Sequence, residues 1–205
     1  SLQGSVFRRH DGRDSTGETV RERIEPVTGQ VARSTQDSEG EARNDSTGFN
    51  GSVSYNLGER DVVALNASYN DFSSEGDTRE RYRSIGAGGM VDSEYARSSS
   101  REGASKNYSL GGRLDHKGSL PGEVFKLDLR VSGTDADNDT RFASLYAVRP
   151  PGALDSLTRQ GNATDTRLAD FTGDYERPLG TGIIKLGYKL ARTSNSFDTM
   201  FFNTD

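Results

Sequence analysis

The sequence predicts an all-β chain: an antiparallel meander of about seven strands with short turns at one end and long loops at the other. Three observations carry this. Apolar and polar residues alternate in runs of about ten, so each run has one apolar and one polar face. A unit of strand, short turn, strand and polar stretch recurs three times at a spacing of roughly 60 residues. The composition is also too polar for a compact globule, with hydrophobic residues at 31% against roughly 45–50% in ordinary domains, a count that includes glycine. Mean hydropathy is -0.78, which suits strands that bury one face only.

The clearest unit is Asp165–Ser194. Ala169, Phe171, Gly173 and Tyr175 alternate with Asp170, Thr172, Asp174 and Glu176. Ile184, Leu186, Tyr188 and Leu190 then alternate with Lys185, Gly187, Lys189 and Ala191. Folding the runs about Pro178–Thr181 sets Asp174 opposite Lys185, Asp170 opposite Lys189 and Tyr175 opposite Ile184, so that charges meet on one wall. Lys185 and Lys189 make those acids wall salt bridges rather than catalytic carboxylates.

The other elements follow in order. Ser1–Arg9 alternates weakly and is expected as a strand, followed by a polar loop from His10 to Thr47 with a turn at Ile24–Gly29. Gly48–Leu57 and Val62–Phe72 form a hairpin about Gly58–Asp61, and a second polar loop covers Ser73–Lys106. Asn107–His116 and Glu123–Thr134 pair about Lys117–Gly122, where Pro121-Gly122 marks the turn. A third loop spans Asp135–Thr164, and Asn195–Asp205 is expected as the stub of a fourth. The chain starts inside an apparent strand, so residues 1–205 are expected to be one β-barrel segment of a longer protein.

Uniformly short turns at one end and uniformly long connections at the other are the pattern of transmembrane barrels, whose tilted strands need about nine to eleven residues to cross the hydrocarbon. The aromatics agree. Tyr55, Phe125 and Tyr175 lie near the short-turn end of the apolar face, Tyr69, Tyr108 and Tyr188 towards the other, with Phe171 between. Such rings are expected to face the membrane, with two interfacial girdles at the ends.

Several functions are excluded or weakened. Charge is mixed along the chain, 26 Lys+Arg against 31 Asp+Glu, without the basic stripe that nucleic acid requires. Cysteine is absent, so there is no disulfide, thiolate catalysis or cysteine-bound metal. His10 and His116 share no ligand or triad spacing. Asp135-Ala136-Asp137-Asn138-Asp139-Thr140 starts like a calcium loop, but it lacks the glycine and the closing glutamate, where Tyr146 stands. Gly86-Ala87-Gly88-Gly89 lacks the context of a phosphate cradle. No catalytic residue, metal or cofactor is expected. Loop residues Arg79, Arg81, Tyr82, Arg83, Arg141 and Tyr146 are the expected ligand contacts, since arginine with tyrosine grips anionic or sugar-like molecules.

The alternation, the Tyr55-Asn56-Leu57-Gly58 turn, and Tyr175-Glu176-Arg177-Pro178-Leu179-Gly180 followed by Lys185-Leu186-Gly187-Tyr188-Lys189 resemble the barrel region of TonB-dependent outer-membrane receptors, within the outer-membrane β-barrel family. The resemblance covers most of the chain from Gly48 onward. It implies a bacterial outer-membrane protein that imports an extracellular ligand. Outer-membrane lipid and the TonB system, reached through a plug that this stretch lacks, would be its partners. Seven strands cannot close such a barrel, and exposed edge strands would favour self-association. The competing expectation is a soluble or surface-exposed β-domain for adhesion or ligand binding. A carbohydrate-active enzyme has less support.

Overall fold

The computed structural model describes residues 1–24, 27 and 29–204. These form one seven-stranded sheet in chain order, each strand antiparallel to the next. The strands are β1 (Leu2–Ile24), β2 (Val31–Asn56), β3 (Asp61–Ile85), β4 (Val91–Lys117), β5 (Val124–Val148), β6 (Ser156–Leu179) and β7 (Gly182–Thr204). The meander is as expected, and the sheet is open, with β1 and β7 at its edges.

The strands are far longer than the alternation suggested. Most of the expected loops at His10–Thr47, Ser73–Lys106 and Asp135–Thr164, and the stub from Asn195, continue the ladder, leaving connections such as 86–90 and 149–155. The expected turn at Ile24–Gly29 lies partly outside the described residues. The sequence missed the extensions because both their faces are wet, which removes the apolar signal. A ladder is held by backbone hydrogen bonds, and it needs only compatible side-chain neighbours. The register supplies them, setting Asp37 opposite Arg81, Glu39 opposite Arg79 and Glu80 opposite Arg97.

The β6–β7 hairpin also corrects the expected pairing. Its loop is Gly180-Thr181, so Glu176 faces Lys185, Tyr175 faces Leu186, and Asp174 and Asp170 face Gly187 and Ala191. The shift is an even number of residues, so every side chain keeps its face. Lys185 Nζ donates to Glu176 at 2.9 Å. On the other side, Lys126 lies opposite Asp174 and Arg130 opposite Asp170. Gly180 has a φ of 59°, the positive value required at the first central position of a II′ turn, while Thr181 has none. Gly180→Val is expected to destabilise this hairpin by about 1–2 kcal/mol, read as faster amide exchange confined to β6 and β7. Uniform exchange across the sheet would contradict it.

Among the described residues no hydrophobic side chain is buried. The molecule is one layer thick, and one layer cannot bury its own apolar face. Something else must cover it.

The register assembles that face. Rows such as Val53–Leu65–Gly112–Leu129–Phe171–Leu190 and Tyr55–Val63–Leu114–Leu127–Gly173–Tyr188 cross six strands. The band runs obliquely to these rows. Its apolar run covers Val63 to Tyr69 on β3, Tyr108 to Leu114 on β4, Phe125 to Val131 on β5, Ala169 to Tyr175 on β6, and Ile184 to Leu190 on β7. The row through Val63 meets β7 at Tyr188, yet the apolar run there starts at Ile184, four residues nearer the turn. That is one residue per strand step. With about 3.3 Å per residue and about 4.8 Å between strands, it makes an angle of about 35°.

Candidate functional site

Two regions are candidates: the apolar band and the half of the sheet beyond it. On β3 the stretch from Asp71 to Ile85 lies past the band and extends about 50 Å at 3.3 Å per residue. From Ser73 to Ser84 the even-numbered residues of β3 are sheltered and the odd-numbered ones exposed. The sheltered face continues the polar face of the band.

The expected ligand residues divide between the two faces. Arg79, Arg81 and Arg83 are odd-numbered on β3, and Arg141 lies in register with Ser100 on the same exposed face. Arg83 pairs with Glu94 at 3.6 Å, and Arg141 bonds Asp139 at 3.2 Å. Tyr82 and Tyr146 lie on the sheltered face and belong to one cluster. The ring of Tyr95, a residue the sequence reading missed, connects them. Tyr82 stacks on Tyr95 at 4.6 Å and 15°, and Tyr95 meets Tyr146 at 5.1 Å and 44°. Cross-strand pairing explains the row: Tyr82 faces Tyr95, and Tyr95 faces Tyr146. A register shift between Glu94 and Tyr95 adds Ala147 to β5, a bulge that re-aims its neighbours at the end of the ladder. Recognising Gly86–Gly89 as a hairpin turn would have exposed the Tyr82–Tyr95 pair in the sequence.

Polar groups hold the cluster from both ends. Tyr82 Oη donates to Glu80 at 3.1 Å, and Gln36 Nε2 donates to the other oxygen of Glu80 at 3.0 Å. At the far end Asp155 accepts the Tyr146 amide at 2.8 Å and pairs with Arg149 at 2.6 Å, whose guanidinium lies 6.0 Å from the Tyr146 ring centre. The Tyr146 amide, and then Arg149, hold the Asp155 carboxyl below the usual carboxylate range. Arg97 sits 4.6 Å over Phe142 beside the row. The result is a wall of rings edged by guanidinium groups, able to stack planar or sugar-like groups and attract anions.

Burial, then the Glu80 hydrogen bond, raises the Tyr82 phenol; burial, then Tyr146, raises that of Tyr95. Ultraviolet titration should therefore show phenols ionising above the usual tyrosine range, and Tyr82→Phe with Tyr95→Phe should shrink that late portion by two phenols. An unchanged titration would contradict the stacked row.

The other motifs of the sequence have structural places. Asp135, Asp137 and Asp139 lie along β5 within the ladder rather than in a loop, and among the described residues no group of three or more acids or histidines could hold a metal. His10 bonds Asp45 at 2.8 Å and His116 bonds Asp61 at 2.6 Å. Gly86–Gly89 closes the β3–β4 hairpin, Gly89 N donating to Gly86 O at 2.9 Å.

All seven expected outward aromatics share the apolar face. Tyr69 faces Tyr108, Phe125 faces Tyr175, and Phe171 and Tyr188 lie 5.5 Å apart. Two of the tyrosines cover glycines directly across the ladder. A Cβ on Gly133 would lie 2.5 Å from Tyr108 Oη, and one on Gly173 would lie 2.6 Å from Tyr188 Cζ. Such aromatic cover of glycine helps fix register.

No family model matches the chain, and no curated protein matches it in sequence. Solved structures do resemble it. The ferripyoverdine receptor of the Pseudomonas aeruginosa outer membrane aligns over 97% of this chain and 39% of its own, with 10% identity and a TM-score of 0.17. The ferric yersiniabactin uptake receptor of Yersinia pestis aligns over 98% and 42%, with 9% identity and a TM-score of 0.26. The ferric preacinetobactin receptor of Acinetobacter baumannii aligns over 98% and 43%, with 10% identity and a TM-score of 0.28. The chain spans less than half of each. At these scores the functional reading rests on the residues instead.

Proposed function

We propose that this chain is part of the wall of a bacterial outer-membrane β-barrel receptor of the TonB-dependent kind, whose full-length form imports an extracellular ligand. The observation that carries the barrel reading is the oblique apolar band. Its angle of about 35° matches the strand tilt of closed barrels, typically 35–45°. A membrane plane cuts tilted strands along such a line. Each apolar run extends about 20 Å along its strand before side-chain reach is added, close to the lipid-facing band of about 25 Å in outer-membrane barrels. The TonB-dependent part of the reading rests on the motif resemblance around Tyr175–Lys189. In this reading the distal strands stand outside the cell, and the Tyr82–Tyr95–Tyr146 row faces the lumen as a ligand contact.

Residues 1–205 contain no cysteine, so single cysteines placed in them, with any others in the full-length protein replaced, give a direct test in whole cells. In the full-length protein, Leu65→Cys should resist a membrane-impermeant maleimide, and Ser98→Cys should react from outside. Equal labelling of the two, or a protected Ser98→Cys, would sink the reading. For the ligand contact, Tyr95→Ala should weaken uptake by about tenfold, since a lost base or sugar stacking partner costs on the order of 1–3 kcal/mol. The expected contacts Arg79, Arg81 and Arg83 then act, if at all, from the outer surface. Uptake indifferent to Tyr95→Ala would remove the row from the site.

The soluble or surface-exposed β-domain remains the rival reading. It needs a second layer over the apolar band, and no described residue supplies one. No catalytic role is proposed.

A further inference from the structure

The two faces of the distal half differ in charge. On the face that continues the apolar band, charged side chains fill rows such as Arg43–Glu75–Glu102–Asp139 across β2 to β5. One residue further along each strand, on the sheltered face, the row Asn44–Ser74–Gly103–Asn138–Asn162–Thr199 crosses β2 to β7 without a charge. The neighbouring rows on this face run from Ser46 to Phe197, from Ala42 to Phe201 and from Gly40 to Asn203, and they add one charge, Arg101. Its guanidinium donates to Asn138 at 3.5 Å. Edge strand β1 is the exception. It brings Arg9, Asp11 and Arg13 to these rows, and Arg21 and Arg23 further out, with Arg9 paired to Asp11. The neutral wall therefore belongs to β2–β7. Beside the tyrosine row the cations are matched by acids: Arg97 stands opposite Glu80, and Arg149 pairs with Asp155 at 2.6 Å.

Rings and amides meet on the β5–β7 side of this wall. Phe197 and Phe201 on β7 are 69% and 67% exposed and lie about 13 Å apart along the strand. They stand opposite Thr164 and Gln160 on the sheltered face. Between them Thr199 faces Asn162, which in turn faces Asn138. Two open rings thus flank a patch of three carboxamides, each carrying both donors and an acceptor.

Such a wall disfavours charge in a ligand. An ion entering the lumen gives up hydration and finds no counter-charge to replace it. A sugar hydroxyl instead trades water for amide and hydroxyl partners at little net cost, and the apolar face of a sugar ring suits an aromatic side chain.

We propose that the sheltered face of β5 to β7 binds a neutral oligosaccharide, with Phe197 and Phe201 stacking on its sugar rings and Asn138, Gln160 and Asn162 bonding its hydroxyls. The inference rests on the barrel reading, which makes this face the lumen wall, and it names the class of the imported ligand.

The test titrates full-length protein in detergent micelles with maltohexaose, cellohexaose and xylohexaose, and with hexagalacturonate as a charged counterpart, by isothermal calorimetry. At least one neutral hexasaccharide should bind, at least tenfold more tightly than hexagalacturonate. Phe197→Ala and Phe201→Ala should each weaken that binding by about tenfold, the scale of a lost stacking partner, while Phe201→Tyr should keep it. Asn162→Asp, which adds a charge between the rings, should weaken it too. Met200→Ala, on the opposite face of the same strand, should leave it unchanged. No binding of a neutral hexasaccharide, equal or tighter binding of hexagalacturonate, or an equal loss from Met200→Ala would overturn the proposal. Cysteine labelling in whole cells separates the two levels. A protected Leu65→Cys without sugar binding removes the oligosaccharide site alone, whereas a reactive Leu65→Cys removes the barrel reading as well.

Discussion

Leu129→Arg is expected to cost about 2–4 kcal/mol of folding stability in a bilayer and to reduce insertion, while Thr172→Arg leaves both nearly unchanged. The two positions lie on neighbouring strands at almost the same height, with Leu129 opposite Phe171 and Thr172 opposite Asp128. Leu129 is 51% exposed at the middle of the band, flanked by Gly112 on β4. An arginine there must place its charge in hydrocarbon or bend to reach the interface. At Thr172 the same charge enters a polar wall, between Asp128 and Lys189. Urea titration in phospholipid vesicles measures both. If Leu129→Arg instead folds as well as wild type in detergent-free buffer, the face does not meet lipid and the soluble reading gains.

The next largest effect is expected at Gly173 and Gly133. Each lies under a tyrosine ring from the strand across, so a Cβ needs space already taken by Tyr188 or Tyr108. Gly173→Val should cost about 1–3 kcal/mol, the usual range for overpacking. The mechanism predicts more than a loss. Removing the ring with Tyr188→Ala should make Gly173→Val less harmful, giving a favourable coupling in a double-mutant cycle. Strictly additive costs would mean that valine acts through the backbone and that ring cover is incidental. At Gly133 the same change also displaces Tyr108 from beneath Arg167, so Gly133→Val should carry a similar cost.

The proximal half of the sheet was legible because one of its faces is apolar. Val63, Leu65, Ala67 and Tyr69 against Asn66, Ser68 and Asn70 announce a strand and its facing by residue type alone. Even where the β6–β7 pairing was misplaced, the faces survived, because the error was an even number of residues. The distal half was illegible for the opposite reason. From Asp71 to Ile85 both faces are polar, and that composition reads as a loop unless the opposing strand is known. The candidate site shared this blindness. Tyr82 and Tyr146 were visible as residues, but Tyr95 joins them only when β3, β4 and β5 are laid side by side.

By itself the sequence determined the all-β class, the strand count, the short turns at one end and the identity of the apolar face, since alternation encodes facing directly. The tertiary structure decided how far the strands run, which arginines leave the tyrosine row for the opposite face, and how the apolar runs are staggered. Those depend on register, a relation between strands set by backbone pairing and turn geometry that no single strand contains. The stagger of one residue per strand is where the two meet: the sequence supplies each apolar run, and only their alignment turns the five short runs of β3 to β7 into an oblique belt.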